Sequence, residues 1–269
     1  MILIEDKLNL PLDIVRYIDK FLNKPLNDET IRTAIELWFS NEKECIEKYG
    51  HISEWNTRKV RNMSKLFYEK STFNEDISRW TVDNVTDMSY MFSNAKNFNQ
   101  DINNWNTSNV TDMHAMFYFA YIFDCPLNNW NTQNVTDMSH MFCLAKRFNQ
   151  DLNNWNTSNV TDMSGMFSEA ENFNKPLNNW NVSNVVNMNS MFSYTEKFDQ
   201  DLENWDISRV NSMNYMFGSA KSFNKSLNKW DLSNMQNMGS IFYNAENLNK
   251  HNIKDVFRNV KKSVPYQIV

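Results

Sequence analysis

A chain of 269 residues with 41% hydrophobic and 22% charged residues is long enough to bury a sizeable core. Its net charge of −5 excludes a global basic field for nucleic acid, and no apolar run is long enough to cross a bilayer. With only four Gly and five Pro beside abundant Asn, the corners of the fold must be made by Asn where other proteins use Gly.

The chain opens with MILIEDKLNLPLDIV. Glu5 and Asp6 stand where a secretory signal needs positive charge, and Ile2 stands where myristoylation needs glycine, so neither export nor a lipid anchor is expected. The stretches LPLDIVRYIDKFL (10–22) and NDETIRTAIELWFSNEKECIEKYG (27–50) both have the spacing of amphipathic helices. The second has an N-cap in Asn27 or Asp28 and sets Trp38 and Phe39 on its apolar side. Residues 1–50 are expected to form a helical N-terminal cap.

From residue 51 the chain repeats. Trp recurs at 55, 80, 105, 130, 155, 180, 205 and 230 without an insertion. Columns starting at Met63 and Phe67 share the 25-residue period, and a second aromatic column runs from Phe73 to Phe223 and ends in Leu248. Identical spacing implies identical coils stacked on one axis. Residues 51–248 are expected to make about eight coils. Within one coil, Val110, Met113, Met116, Phe117 and Ala120 fit one face of a short helix, capped by Asn106, Ser108 or Asn109, with Asp112 in its first turn. Upstream, Phe98, Ile102 and Trp105 fit a short strand that pairs in parallel with its copies. The expected fold class is an α/β solenoid, with a short parallel strand and a short helix in each coil.

A second period lies over the first. Residues 98–117 (FNQDINNWNTSNVTDMHAMF) and 148–167 (FNQDLNNWNTSNVTDMSGMF) differ at three places and lie 50 residues apart. One column reads Asp101, Pro126, Asp151, Pro176, Asp201, Ser226. Carboxylates on adjacent coils, roughly 5 Å apart, repel one another, and this alternation separates them. The Asn column of Asn84, Asn109, Asn134, Asn159 and Asn184 is expected to be structural, its corner amides satisfying the backbone of neighbouring coils. Residues 249–269 lose the Trp and Met columns and carry Lys250, Lys254, Arg258, Lys261 and Lys262 against Asp255, which reads as a C-terminal cap with a basic tail.

Cys45, Cys125 and Cys143 form an odd, unpatterned set, which argues against a disulfide scaffold. N-x-S/T sequons recur in the tightly packed motif, where glycans would be badly tolerated. An intracellular protein is expected, in the cytoplasm, a host cytoplasm or a virion.

The unit F-N-Q-D-[IL]-N-N-W-N-T-S-N-V-T-D-M-S-x-M-F-x-x-A resembles the BspA-like leucine-rich-repeat family, known from mycoplasma-type surface lipoproteins and giant-virus proteins. The resemblance covers about residues 50–248, and Ile31, Ala34 and Trp38 followed by YGHISEW look like the family's lead-in. It implies a right-handed, leucine-rich-repeat-like stack, with attachment or protein binding as the usual role. The Asn/Lys/Ile-rich composition and the helical N-terminus resemble the giant-virus members more than the exported ones.

Chemical motifs are few. Gly at 50, 165, 218 and 239 leaves no phosphate loop, dinucleotide fingerprint or nucleophile elbow. His140 and Cys143 form H-x-x-C with His114 on the adjacent coil, but the three occupy unrelated repeat positions and read as surface variation. No cofactor, metal or catalytic residue is expected, and the chain is read as a non-enzyme and a monomer. The candidate protein-binding residues are Tyr118, Phe119, Tyr121 and Ile122, with Leu144 on the next coil, because other coils carry mostly polar residues there. The function expected is a protein-protein interaction or scaffold module with an unidentified protein partner, and no nucleic acid or membrane. The alternative is an adaptor. Residues 9–22 look like the L-P-x-[DE]-I-x-x-x-I-x-x-[FY]-L opening of an F-box, which would recruit a ubiquitin-ligase component while the solenoid binds substrate.

Overall fold

The computed structural model describes Pro11, Ile14, residues 24–258 and Val260. The rest of the F-box-like stretch, and Lys261 and Lys262 of the tail, lie outside the described residues. Helix α1 (Asp28–Ser40) starts with a capping box: Asn27 Oδ1 accepts the Glu29 and Thr30 amides, and Thr30 Oγ1 accepts the Asn27 amide. It buries Ile31, Ala34, Ile35 and Trp38. Helix α2 (Glu42–Tyr49) follows at once, with Asn41 as its N-cap. Asp28 and Arg32 tie α1 to the first coil. Asp28 Oδ1 accepts the Arg61 and Asn62 amides, and Arg32 donates to the Ser64 carbonyl at 2.8 Å and to Asn62 Oδ1 at 2.8 Å.

The repeat is a solenoid of 25-residue coils. The expected helix of each coil is not there: residues 51–248 contain no α-helix, only one short 3-10 turn at Ile52–Glu54. From Met113 to Ala120 the chain makes successive i→i+3 turns instead, with Met116, Tyr118 and Ala120 donating to Met113, Ala115 and Phe117. Left-handed residues recur twice per coil, as at Ala115 (φ 51°) and Phe119 (φ 58°), and a left-handed residue stops an α-helix. The amides between those donors leave the coil altogether. Met113, Ala115, Phe117 and Phe119 donate to the carbonyls of Asp137, Ser139, Met141 and Cys143 in the next layer. This ladder is repeated at all seven junctions from coil to coil.

The expected strand is displaced rather than absent. Parallel pairing occurs as single bridges in the column Asn62, Asp87, Asp112, Asp137, Asp162, Asn187, Ser212, Asn237, inside the segment expected to be helix. The stretch around Phe98–Trp105 is instead joined to its neighbours through side chains. Asn99 N–H donates to Asn74 Oδ1, and Gln100 Nε2 donates to the Asn74 carbonyl. The α/β description is therefore corrected to a solenoid of tight turns with bridge pairing.

The core is as periodic as the spacing requires. Met113, Met116, Phe117, Phe123 and their copies are sealed from solvent, except Leu248, where the second aromatic column ends half-buried. The aromatic columns stack face to face, with Phe117–Phe142 centroids at 5.6 Å and Trp130–Trp155 at 6.3 Å. From Trp80 to Trp230 each indole N–H of the column donates to a carbonyl 28 residues earlier, as Trp130 does to Ile102 at 3.0 Å, while Trp55 donates to Gly50 in the cap. The Asn column binds backbone as expected, Asn109 to Asp83 and Asn134 to Ser108, although most of these amides lie at the surface rather than buried.

The 50-residue echo has a hydrogen-bond cause. In the Asp coils, Asp101 and Asp151 accept the Asn103 and Asn153 amides. The freed side chains of Asn103 and Asn153 reach the following Pro coil, where their Oδ1 atoms accept the Asn129 and Asn179 amides at 3.0 Å. Charge separation is not the governing rule of this stack, because four other aspartates, Asp87 to Asp162, bridge on consecutive coils.

Candidate functional site: an aromatic face across four coils

A 25-residue period places residue n beside residue n+25, so sequence-distant rings become neighbours. The expected patch does assemble: Tyr118 and Phe119 lie 4.9 Å apart, and Phe119 and Tyr121 lie 5.4 Å apart. Tyr118, Phe119, Tyr121 and Ile122 are half-buried, while Leu144 is 9% exposed and belongs to the floor beneath them. Phe119 and Leu144 occupy one left-handed column, whose members in other coils include Asn94, Glu169 and Ser219. The column is architectural. Bulky residues, which resist positive φ, fill it in three coils: Phe119, Leu144 and Tyr194.

The face is larger than the sequence patch. Tyr68 meets Tyr90 at 6.4 Å, Tyr90 meets His114 at 4.8 Å, His114 meets His140 at 5.9 Å, and His140 meets Tyr118 at 6.5 Å, each edge to face. A continuous line of rings therefore runs from the first coil to the fourth. Two ammonium groups lie over it, Lys65 at 5.3 Å from the Tyr90 centroid and Lys96 at 5.7 Å from that of Tyr121. Tyr90 and His140 share a variable column that also holds Lys65 and Tyr215, and His114 is an isolated change in a column of Ser, Asn and Gly, so their meeting shows only when the sequence is folded onto its period.

His114 is held at both nitrogens. Its Nδ1 lies 2.5 Å from Ser139 Oγ, which itself donates to Asp137 Oδ1, and its Nε2 lies 2.8 Å from the Tyr90 hydroxyl. A carboxylate only accepts, so the Ser139 proton points at Asp137. For a neutral imidazole, Nδ1–H then donates to Ser139 and Tyr90 donates to Nε2. His140 lies over Gly165, where a Cβ would stand 2.3 Å from the His140 Nδ1. Burial holds the His140 pKa below its ordinary value, and His114 adds to this. The Cys143 thiol is pushed up to about 12, first by burial and then by Glu169, so it is neither a thiolate nucleophile nor a ready metal ligand. The Tyr118 phenol is raised chiefly by burial. Among the described residues no cluster of three or more His, Cys, Asp or Glu has an arrangement that could hold a metal ion.

One edge of the face is acidic. Asp87, Asp112, Asp137 and Asp162 stand on successive coils, each half-buried and each accepting the amide two residues on. The row ends in amides: Asn62 donates to Asp87 at 2.9 Å and Asn187 to Asp162 at 3.0 Å. Burial raises the Asp112 carboxyl pKa. The His114 amide opposes this, and the charges of Asp137 and Asp87 add to it. His114 Nδ1 lies 3.9 Å from Asp137, so the acidic row and the rings form one surface.

A solved structure described as a crystal structure of a TLR13–ssRNA13 complex is similar over 88% of this chain at 8% identity, with a TM-score of 0.26, and this chain spans 41% of that one. No curated protein sequence matches the chain. Residues 33–155 and 144–257 match the family model described as "Mycoplasma protein of unknown function, DUF285". Together the two matches run from within α1 through every coil, and the chain belongs to this Mycoplasma-type repeat family.

Proposed function

We propose that the chain is a non-enzymatic docking module that binds a protein partner through the aromatic face of its first four coils. The observation that carries this reading is the unbroken line of partly exposed rings from Tyr68 to Tyr121, since aromatic side chains give large contact area at low entropic cost. The acidic row along the same face selects a partner that presents Lys or Arg groups beside its apolar anchor. The free cysteines support a reducing, intracellular setting, which is part of this proposal together with the giant-virus affinity.

The test is a triple substitution, Tyr118→Ser, Phe119→Ser and Tyr121→Ser. Other coils already carry Ser168, Ser219 and Ser71 in these three columns, so the fold accommodates the change. Cross-linked partners captured by the wild type from its native cell should be lost by the variant at unchanged melting temperature. Equal capture by both would remove the face from the proposal.

A further inference from the structure

The column that begins at Ser64 continues as Ser89, His114, Ser139, Ser164, Asn189, Asn214 and Gly239, so one imidazole stands among small residues. Stacking fixes its company. The Tyr90 hydroxyl of the coil before lies 2.8 Å from Nε2, and Ser139 Oγ of the coil after lies 2.5 Å from Nδ1. Ser139, only 5% exposed, lies in turn 2.5 Å from Asp137 Oδ1. Tyr90, His114, Ser139 and Asp137 thus form one chain of hydrogen bonds across three coils. The proton order along it is determined. If Ser139 donated to Nδ1, its oxygen would face the Asp137 carboxylate with no proton between two acceptors. The Ser139 proton therefore points at Asp137, Nδ1 carries the proton of the neutral ring, and Nε2 accepts from Tyr90.

A second proton on the ring has one place to go, Nε2, and the imidazolium donates from both nitrogens. Histidine is the side chain whose charge changes between about pH 5 and 8. The bonds from Nδ1 to Ser139 and from Ser139 to Asp137 keep their directions. The Tyr90 bond cannot: Nε2–H now donates to the phenol oxygen, and the phenol proton must leave that bond and turn outward. Tyr90 is partly exposed, so outward is the ring face. The charged and titratable groups around His114 come from three coils. Tyr90, with Lys65 over its ring at 5.3 Å, and Asp87 lie on the coil before. Asp112, which accepts the His114 amide, lies on its own coil. Asp137, 3.9 Å from Nδ1, and His140, at 5.9 Å between ring centroids, lie on the coil after, with Tyr118 and Asp162 beyond His140. A charge on His114 opposes a second on His140, so the pair takes one proton before two.

We propose that His114 is a proton switch for the ring face. Neutral, it holds the Tyr90 oxygen as an outward acceptor beside the acidic row. Protonated, it makes Tyr90 an outward donor and adds a positive charge 3.9 Å from Asp137. The consequence rests on the docking function proposed above: the face accepts a partner's Lys or Arg in the first state and releases it in the second, as pH falls.

The switch is read without a partner, by NMR of the full chain labelled with nitrogen-15 histidine and carbon-13 tyrosine, between pH 8 and pH 5. His114→Asn and His140→Ser assign the signals and introduce residues that those columns already hold as Asn189 and Ser190. We expect the Nδ1–H tautomer of His114 at pH 8. The Tyr90 Cζ signal, which reports whether the phenol donates or accepts, should move with His114 protonation and stay still in His114→Asn. An Nε2–H tautomer at pH 8, or a Tyr90 signal indifferent to His114, overturns the switch. Release is read by titrating the chain with a blocked Phe-Arg dipeptide amide, a cation beside an apolar anchor, at pH 7.5 and 5.5. Affinity should fall by about fourfold at the lower pH, the factor that one unit charge ~5 Å away gives at the dielectric of water, and by no more than about 1.5-fold in His114→Asn. Equal affinity at the two pH values, or a fall that His114→Asn retains, overturns the release. A probe that binds at neither pH while the spectra switch overturns the docking reading, and the release with it, but not the proton switch.

Discussion

Replacing Asp112 by Asn removes one charge from the middle of a row of four. Adjacent bridges are about 5 Å apart, and two unit charges at that distance repel by about 0.8 kcal/mol at the dielectric of water and about 3 kcal/mol at an effective value of about 20. The neighbouring Asp137 side chain is 40% exposed, so the lower end applies, at about 1 kcal/mol for each of two neighbours. The turn hydrogen bond to the His114 amide, 2.8 Å with Asp112, survives in neutral form, as Asn187 shows by accepting the Asn189 amide at 3.1 Å. That weakening costs about 0.5–1 kcal/mol, and a new amide donation to a neighbouring carboxylate, of the kind Asn62 makes to Asp87, offsets it. The variant should therefore be more stable by about 1–2 kcal/mol at pH 7 and low salt. The sign with pH follows from the raised carboxyl pKa of Asp112. A raised folded pKa means that the wild type is relieved of its penalty below the unfolded carboxylate range and bears it in full above the folded value. Urea unfolding followed by Trp fluorescence at pH 7 and at pH 3.5 should show the gain at the first and little at the second. Added salt should reduce it. A variant that is less stable at pH 7, or a gain indifferent to pH and salt, would refute the reasoning.

Gly165→Ala should cost about 2 kcal/mol by driving a Cβ into the His140 ring, and the ring's share of the loss should return in a His140→Ser background. The left-handed φ adds about 1 kcal/mol of its own, which Ala115 bears in the same column at 51°, so an equal cost in both backgrounds would assign the whole loss to the backbone. The lowered His140 pKa has the opposite pH sign to Asp112: the unfolded imidazole takes a proton first, so stability falls as pH drops below 6.5 towards the folded value. Thermal melts of wild type and His140→Ser between pH 7 and 5 should differ in slope, and parallel curves would exclude the histidine as the cause. Trp130→Phe keeps the aromatic stack and leaves the buried Ile102 carbonyl without its 3.0 Å donor, so denaturant titration should show a loss of about 1–3 kcal/mol. A loss no larger than that of an exposed Tyr243→Phe change would show that the indole N–H contributes nothing.

The stack was legible because its signal is a period, and a period of 25 survives any error in local structure. The coil's interior was not. Val110, Met113, Met116, Phe117 and Ala120 satisfy the spacing of a helix face, but successive i→i+3 turns bury nearly the same positions. Only backbone handedness separates the two, and within the coils glycine marks it at Gly165 alone: Tyr90, Phe119, Leu144 and Tyr194 all sit at positive φ. The strand was misplaced for a related reason. Asp112 read as a first-turn helix acid, whereas its column is where the coils pair. Of the candidate site, Tyr118, Phe119, Tyr121 and Ile122 were found because they are consecutive breaks in one coil. His114 and His140 were noticed for metal chemistry and dismissed, since their meeting with Tyr90 and Tyr118 is visible only once columns 64, 65 and 68 are laid side by side.

The acidic row then becomes informative about function. Asn or Ser fills the same bridge position in the first, sixth, seventh and eighth coils, and Asn62 and Asn187 support the same turn without a charge. Folding does not require a charge there, and stacking four of them works against it by the Coulomb terms above. The four charged coils are the second to the fifth, and the ring face spans the first to the fourth. A feature that opposes stability, is dispensable to the turn, and coincides with the aromatic surface is best accounted for by that surface. Its field favours cationic groups, so on the proposed docking function a partner of the ring face should carry Lys or Arg beside an apolar anchor, and its association should slow as ionic strength rises.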